Sequence, residues 1–202
     1  RIESFSEILL DDCRDRLVPA DLELLRRIWS TARHAEQLID DLLALSRASL
    51  AEMLRERIDL GALAREIADV LVEQQPGRLI DVEIAEGLVV DGDRRLLRLC
   101  LENLLGNALK FTRGRETLIE IGAVEAGPDR ERAIFVRDNG VGFDMAYADR
   151  LFGVFQRLHR PGEFPGSGVG LALVKRIVHR HGGRVWAESA VEKGTTIFFT
   201  LG

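Results

Sequence analysis

The fold is decided by one stretch of the chain, Glu102-Asn103-Leu104-Leu105-Gly106-Asn107-Ala108-Leu109-Lys110-Phe111. Asn103 and Asn107 are four residues apart and Lys110 follows three residues later, so all three side chains project from one face of a helix. Burying two carboxamides on a packed helix is costly unless something binds them. An amide oxygen suits a hard cation when phosphates supply the negative charge, and a lysine beside it suits the phosphates. The stretch therefore predicts a magnesium–nucleotide site.

The composition limits the class of protein. With 202 residues, a formal charge of -5 and 46% apolar residues, the chain can bury one core and a smaller helical module. It has neither a membrane-spanning apolar run nor a signal-peptide pattern, and its acidic balance gives no support to nucleic-acid binding. Cys13 and Cys100 are expected to be separate thiols in a reducing compartment. Because the chain starts at Arg1 and its only methionines are Met53 and Met145, we expect a fragment of a longer protein. The missing apolar and signal segments predict a cytoplasmic piece without membrane contact, with an upstream membrane anchor left open, and we expect no nucleic-acid partner.

The first 50 residues predict two helices. Residues 1–17 place apolar side chains on one stripe, and the segment 18–21 interrupts the pattern, with Asp21 as the expected cap of a longer helix that runs to about Ser49. That helix carries a heptad seam at Leu24, Ile28, Thr31, Ala35, Leu38, Leu42 and Leu45. Leu25, Ala32 and Ile39 widen the seam, which suits a helical bundle. The first helix is too short to cover it, so we expect a homodimer or pairing with upstream sequence.

The remainder of the chain predicts an α+β sandwich with helices on one face of a sheet. Asp59 and Asp93 are expected to cap helices that start at residues 60 and 94, the second of which carries the asparagines. A third helix, residues 168–181, should end at Gly182-Gly183. A short helix near residues 146–152 interrupts a long loop. Strands are predicted at residues 79–84, 88–90, 117–124, 132–137, 184–188 and 195–201.

Two glycine-containing segments accompany the asparagine helix. Asp138-Asn139-Gly140-Val141-Gly142 follows an apolar strand; its carboxylate can accept a hydrogen bond from an adenine amino group, and its glycines let the backbone approach a flat base. Taken alone, the segment favours a simple Asp-Asn-Gly turn. Gly166-Ser167-Gly168-Val169-Gly170-Leu171 opens a helix, where free backbone N–H groups form an anion site. It matches neither the P-loop, nor the dinucleotide fingerprint, nor the nucleophile elbow.

Together these segments resemble the N, G1, F and G2 boxes of sensor histidine kinases, in the order and at the spacing of that family. The F box corresponds to Leu151-Phe152-Gly153-Val154-Phe155-Gln156-Arg157-Leu158. The residue sequences of these boxes are most similar to those of kinases attached to phytochromes. The resemblance implies the rear part of a dimerisation and histidine-phosphotransfer hairpin in residues 1–50, without the acceptor histidine and forming a four-helix bundle in the dimer, and a linker in residues 51–58. Residues 59–202 would be a catalytic ATP-binding domain of the gyrase, heat-shock and histidine-kinase type.

The resemblance implies ATP and Mg²⁺ as cofactors and assigns residues to the phosphate end of the site. Asn107 would bind the magnesium ion, and Asn103 would assist at the metal or the phosphates. Lys110 would contact phosphate, and Arg157 resembles the lid arginine that reaches the γ-phosphate. These assignments fit phosphoryl transfer, which depends on positioning and charge neutralisation.

At the base end, the resemblance implies that Asp138 binds the adenine amino group. Thr195 or Thr196, after Lys193-Gly194, would line the same end of the pocket. The remaining residues of the two glycine segments would shape the pocket and its lid, namely Gly140, Gly142, Gly166, Gly168, Gly170 and Leu171.

The family phosphorylates a histidine that precedes an acidic residue and a Leu-Arg-x-Pro-Leu-like run. None of His34, His159, His179 and His181 has that context. The first six residues, from Arg1 on, resemble the sequence just after that box, so we expect the acceptor upstream. His179 and His181 are instead expected to interact with the dipole at a helix C-terminus. The resemblance also implies an upstream sensor domain and, as a partner, the receiver domain of a response regulator.

Three other functions stay open from the sequence. An ATPase of the wider gyrase, heat-shock and mismatch-repair superfamily would need a glutamate in place of Asn103 to activate water. A serine kinase of the anti-sigma type would share the nucleotide site but would lack a dimerising hairpin. A pseudokinase scaffold would keep the fold without the activity, and the intact motif residues speak against it.

Overall fold

The structure is a computed structural model that describes residues 18–50, 52–126, 131–158, 163–164 and 166–202. The chain divides into two compact units, Arg1–Ala44 and Leu45–Gly202, and each is considered by itself. The helix predicted in residues 1–17, Cys13 and His159 lie outside the described residues. The predicted domain limits at residues 50 and 58 stay predictions.

Helix α1, Pro19–Leu50, is the long helix that the heptad pattern predicted. It begins three residues earlier than expected, because proline fits the first helical position, where its missing N–H costs nothing. The N–H groups of Asp21 and Leu22 donate to the carbonyl of Val18, at 2.9 and 3.1 Å. The prediction that Asp21 caps the helix was therefore wrong: Asp21 lies within the first turn, where its charge favours the helix dipole.

The seam of α1 remains open in the described part of the molecule. Leu24, Ile28 and Leu42 are 57%, 44% and 42% exposed, although helices in proteins take most of their stability from packing of an apolar face. Within the described residues, no helix combines the length and the apolarity needed to cross a membrane.

The second unit contains a two-stranded and a five-stranded sheet. The small sheet pairs β1, Glu56–Asp59, with β3, Val89–Gly92, in antiparallel orientation. In the large sheet, β2 is parallel to β4 and all other pairs are antiparallel. Its order is β2 (Ile80–Ile84), β4 (Thr117–Ala126), β5 (Glu131–Asp138), β7 (Gly194–Phe199) and β6 (Val185–Ala190).

Strand β1 was not predicted from the sequence, in which residues 50–58 form a polar stretch. Three of its four residues are charged and exposed, and only Ile58 is buried. Its pairing partner β3 lies beyond a whole helix in the sequence. The other six strands occur where the sequence predicted them.

Three helices cover one face of the large sheet, as predicted. They are α2 (Leu60–Glu73), α3 (Arg94–Phe111) and α4 (Gly170–Arg180). Helix α2 packs on α3 and β2, and α3 packs on α4, β4 and β5. A 3₁₀ helix, Met145–Arg150, interrupts the loop between β5 and α4.

The predicted caps of these helices are present. Asp59 accepts a hydrogen bond from the N–H of Ala62 at 2.9 Å. Asp93 accepts from the N–H groups of Arg95 and Leu96, at 2.9 and 3.3 Å, which satisfies donors that an α-helix leaves unpaired at its start. At the other end of the layer, Gly182 has a φ of 84° and terminates α4.

Candidate functional site

The motif segments meet at one edge of the helical layer. The N–H of Val141, after β5, donates to the carbonyl of Phe111 at the end of α3, at 3.1 Å. A Cβ on Gly166 would lie 3.2 Å from Nζ of Lys110, and one on Gly170 would lie 2.5 Å from Oδ1 of Asn103. Segments 30 to 67 residues apart in the sequence therefore enclose a common site.

The polar face of α3 carries the two asparagines, both half-buried. Asn103 donates from Nδ2 to the carbonyl of Leu99 at 2.8 Å, and its Oδ1 faces the start of α4 at Gly170. The carboxamide of Asn107 makes no hydrogen bond to a described residue. Asn107 therefore offers the freer oxygen to a hard cation.

An ion at this place would depend on amide oxygens and on the oxygens of a ligand. Among the described residues, no group of three or more His, Cys, Asp or Glu side chains could hold a metal ion. The donor set fits a magnesium ion bound together with phosphates, because that ion keeps few protein ligands and takes phosphate oxygens readily.

Two cations converge at the phosphate end. Lys110 is half-buried and its Nζ lies 4.3 Å from the centroid of the Phe111 ring. Burial lowers the pKa of Lys110 to about 8, and the positive charge of Arg157 contributes to the decrease. Arg157 is exposed and donates to the carbonyl of Phe164 at 2.6 Å. The Phe164 ring packs on Phe111 at 5.1 Å, so this part of the loop lies against the end of α3.

The glycine segment before α4 is shaped for an anion. Gly168 has a φ of 75°, and a Cβ there would lie 2.9 Å from the carbonyl oxygen of Gln156, so a larger residue would be strained and crowded. Gly166, which also has a positive φ, precedes it, and Gly170 and the half-buried Leu171 form the first turn of α4. The first N–H groups of the helix point to the end where Lys110 and Asn103 lie.

Asp138, the last residue of β5, dominates the base end. Its Oδ1 accepts hydrogen bonds from the N–H groups of Gly140 and Thr195, at 2.8 and 3.3 Å. No described residue donates to its Oδ2. Burial raises the pKa of Asp138 to about 6, against the effect of these two hydrogen bonds and of Arg115. The free carboxylate oxygen can accept a hydrogen bond from a ligand.

The sheet register decides between the two threonines that the sequence left open. Thr195 pairs with Asp138 in β5, so both side chains lie on the helix-facing side of the sheet. Thr196 points to the opposite face, where its Oγ1 accepts from Nε of Arg137 at 3.3 Å. Of the two threonines, Thr195 is therefore the one that lies beside Asp138.

Close backbone contacts hold the base end together. A Cβ on Gly142 would collide with the carbonyl of Ala190, and one on Gly194 would collide with the carbonyl of Asp138. Gly140 is similarly confined, because a Cβ there would lie 2.7 Å from the carbonyl oxygen of Phe111. Glycine is therefore required where the loop after β5 crosses the β6–β7 hairpin.

Sequence reasoning missed two residues of this site. Ser189 on β6 contacts Thr195, and Arg115 contacts the carbonyls of Asn139 and Gly140, each at 3.4 Å, and also Glu192 at 2.8 Å. An arginine in a turn carries no sequence signal, because such residues are usually solvated. The position of Ser189 follows from strand register, which the sequence does not reveal.

Comparison with known proteins identifies the family and the fold of the chain. Residues 92–202 match the family described as histidine kinase-, DNA gyrase B-, and HSP90-like ATPase. The match spans more than half of the chain and includes α3, the Asp138 segment and the glycine segment before α4. The chain belongs to this family of ATPases. Within it, the similar proteins are sensor histidine kinases, which confirms the class that the four boxes predicted.

The chain is 32% identical to cyanobacterial phytochrome B from a Nostoc species over 99% of this chain and 27% of the relative. It is 38% identical to the methanogenesis regulatory histidine kinase FilI from Methanothrix harundinacea over 82% of this chain and 18% of the relative. It therefore spans less than a third of the length of either relative. The structure of full-length ShkA in complex with AMPPNP shares the fold, with a TM-score of 0.68, 23% identity and coverage of 99% of this chain and 42% of that one.

Proposed function

We propose that this chain binds Mg²⁺-ATP as the catalytic part of a cytoplasmic sensor histidine kinase. The observation that carries the proposal is the opposite polarity of the two ends of the site. Asp138 presents an acceptor at one end, whereas Lys110 and Arg157 bring two positive charges together at the other end without an ion pair to a described carboxylate. A ligand with an amino-substituted base and a polyphosphate satisfies both ends.

The residues then divide the work of phosphoryl transfer. Asn107, assisted by Asn103, would hold a magnesium ion, which neutralises phosphate charge when it is bound. Lys110 and Arg157 would neutralise the charge that remains on the transferred group. The N–H groups at the start of α4, at Gly170, would orient the phosphate chain.

The surroundings of Asn103 favour transfer over hydrolysis. A carboxamide cannot remove a proton from water, and the Nδ2 of Asn103 is already bonded to Leu99. The neighbouring Glu102 is exposed and interacts electrostatically with Arg98. We therefore propose a protein histidine as the acceptor of the phosphoryl group and the receiver domain of a response regulator as its next carrier.

The exposed seam of α1 supports a homodimeric four-helix bundle downstream of a sensor domain. If the seam is a dimer interface, Ile28→Glu will shift sedimentation velocity profiles toward the monomer, because it places a charge in an apolar contact. Ser30→Glu, on an exposed position of the same helix, is the matched control. Unchanged dimerisation in Ile28→Glu would contradict the bundle.

The nucleotide site is tested by calorimetric titration of the 202-residue chain with Mg²⁺-ADP. Asp138→Asn should weaken binding by about tenfold or more, since hydrogen bonds to charged groups are the strong ones. Asn107→Asp should weaken it by placing a negative charge beside the phosphates. Asp91→Asn, an exposed carboxylate on β3, should bind like the wild type. Wild-type affinity in both Asp138→Asn and Asn107→Asp would overturn the proposed site.

A further inference from the structure

We infer that Ser189 is a positioning residue that makes the base end selective for a 6-amino over a 6-oxo purine, and that it acts through the hydroxyl of Thr195. The inference rests on the proposed function, because it concerns the base that the same site would bind. Ser189 lies on β6, and the strand register places it beside Thr195, which in turn lies beside Asp138. The three side chains form a row across β5, β7 and β6 on the helix-facing side of the sheet.

The hydrogen bonds of Ser189 determine where the hydroxyl hydrogens of Ser189 and Thr195 point. Ser189 Oγ lies 2.8 Å from the carbonyl oxygen of Gly194, and a carbonyl can only accept, so the single hydroxyl hydrogen of Ser189 points there. The same Oγ accepts from the N–H of Phe143 at 2.9 Å. Thr195 Oγ1 lies 3.0 Å from Ser189 Oγ. Because Ser189 has no second hydrogen, Thr195 must be the donor in that bond.

This direction determines what Thr195 can offer to a ligand. With its hydrogen committed to Ser189, the half-buried Thr195 hydroxyl presents only lone pairs to the pocket. The Oδ2 of Asp138 is also an acceptor when the carboxylate is ionised. A base with an amino group at position 6 can donate to this pair. An oxo group at that position would place an acceptor against acceptors and leave buried groups unpaired.

A purely structural role of Ser189 makes a different prediction. Ser189 also ties the backbone of Phe143 to that of Gly194, so its loss could loosen the pocket for every nucleotide. Loosening lowers the affinity for all bases together. Release of the Thr195 hydroxyl changes the ratio between bases, because the freed hydrogen can then be donated to an oxo group.

The experiment measures the dissociation constants of Mg²⁺-ADP and Mg²⁺-IDP for the 202-residue chain by calorimetry. IDP carries an oxo group where ADP carries the amino group. Ser189→Ala should reduce the preference for ADP by about fivefold, the order of one neutral hydrogen bond, with IDP binding no weaker than in the wild type. Ser189→Thr, which keeps the hydroxyl, should restore the preference.

The variant Thr195→Val completes a double-mutant cycle. Thr195→Val alone should reduce the preference for ADP, because it removes the hydroxyl that Ser189 orients. Adding Ser189→Ala to Thr195→Val should then leave the ratio of the two dissociation constants unchanged. An unaltered ratio in Ser189→Ala, or a further fall of the ratio in the double variant, would overturn the inference while the proposed function stands. Absence of ADP binding by the wild type would overturn the proposed function itself and this inference with it.

Discussion

The backbone N–H of Asp93 donates a hydrogen bond to Nε2 of His181 at 3.0 Å. This contact joins the residue that caps α3 to the residue that ends α4. The other ring nitrogen, Nδ1, lies 2.8 Å from the carbonyl oxygen of Ile177, which can only accept, so Nδ1 carries the proton and the imidazole is neutral. His181 is fully buried. His181 therefore contacts the C-terminal turn of α4, where the sequence placed it, as a neutral hydrogen-bonding group.

This arrangement predicts a loss of stability in acid. Burial lowers the pKa of His181, as do the charges of Arg55 and Arg180, while Ile177 and Asp93 oppose them. Below the ordinary pKa of about 6.5, the unfolded chain therefore binds a proton that the folded chain excludes. The free energy of unfolding should fall as the pH is lowered through and below that value. Denaturant titrations between pH 5 and 8 measure the effect.

His181→Gln should be less stable than the wild type at pH 7, by about 1–3 kcal/mol for disrupted buried hydrogen bonds, and should lack this part of the pH dependence. His179→Gln, an exposed change on the same helix, should retain it. The titration of Asp138 has the opposite effect on stability. Its pKa is raised to about 6 in the folded chain, so the free energy of unfolding should rise as the pH falls below that value. The comparison is therefore made in an Asp138→Asn background. Equal pH dependence with and without His181 would contradict the neutral assignment.

The carboxylate of Asp93 stabilises the start of α3 by accepting hydrogen bonds in its ionised form. Burial alone would raise its pKa, but donors at Arg95, Leu54 and Leu96 hold the pKa well below its usual range. Asp93→Ala should cost about 2 kcal/mol or more, because it removes a helix cap and leaves the N–H of Leu54 without the acceptor it has at 2.9 Å. Chemical denaturation at pH 7 measures this loss, and Asp91→Ala is the exposed control on β3. Similar stabilities for the two variants would contradict the role of Asp93.

The contribution of Asp93 should disappear in strong acid. Its lowered pKa means that the stability is present above the unfolded pKa of about 3.8 and is lost as the pH falls below that value. In Asp93→Ala this part of the acid dependence should be absent.

Local chemistry explains what the sequence could predict. Asp59, Asp93 and Gly182 mark helix ends by contacts within a few residues of themselves, so their effect is readable from sequence alone. The shared face of Asn103 and Asn107 likewise follows from helical spacing. These local patterns were sufficient to predict the helical layer and the polar face of the site.

Non-local pairing explains what the sequence could not predict. Strand β1 forms by pairing with β3, which comes after α2 in the sequence. Three of its four residues are charged and exposed, so it lacks the alternating apolar pattern that predicts a strand. The choice of Thr195 over Thr196, and the role of Ser189, depend on strand register. His181 resembles any histidine at a helix end until its burial against Gly92 and Asp93 is known. Each of these features arises from a contact between distant segments.

The environments of the described histidines, and the sequence around His159, predict that this chain does not label itself. Both ring nitrogens of His181 are hydrogen-bonded and buried, while His34 and His179 are exposed but lack the acidic context of an acceptor. Incubation with γ-labelled ATP should therefore leave no acid-labile phosphohistidine on the chain. A separately added helical hairpin with a histidine followed by an acidic residue and a Leu-Arg-x-Pro-Leu run is the positive control. Label on this chain that disappears in His34→Gln would contradict the prediction.

The two ends of the site predict a bell-shaped pH dependence of ADP binding. Asp138, with a pKa of about 6, must be ionised to accept the amino hydrogen, so affinity should fall as the pH drops below that value. Lys110, with a pKa of about 8, must be protonated to bind phosphate, so affinity should also fall above pH 8. Titrations in buffers of different ionisation enthalpy should detect proton uptake on binding at pH 8.

Variants and a shorter ligand separate the two limbs of this profile. Lys110→Met should remove the alkaline limb and the proton uptake, whereas Lys175→Met, on an exposed position of α4, should keep both. Adenosine, which lacks phosphates, should show only the acid limb, because it engages Asp138 without Lys110. An alkaline limb that persists in Lys110→Met would assign the titration to another group, and an acid limb that persists in Asp138→Asn would remove Asp138 from the base end.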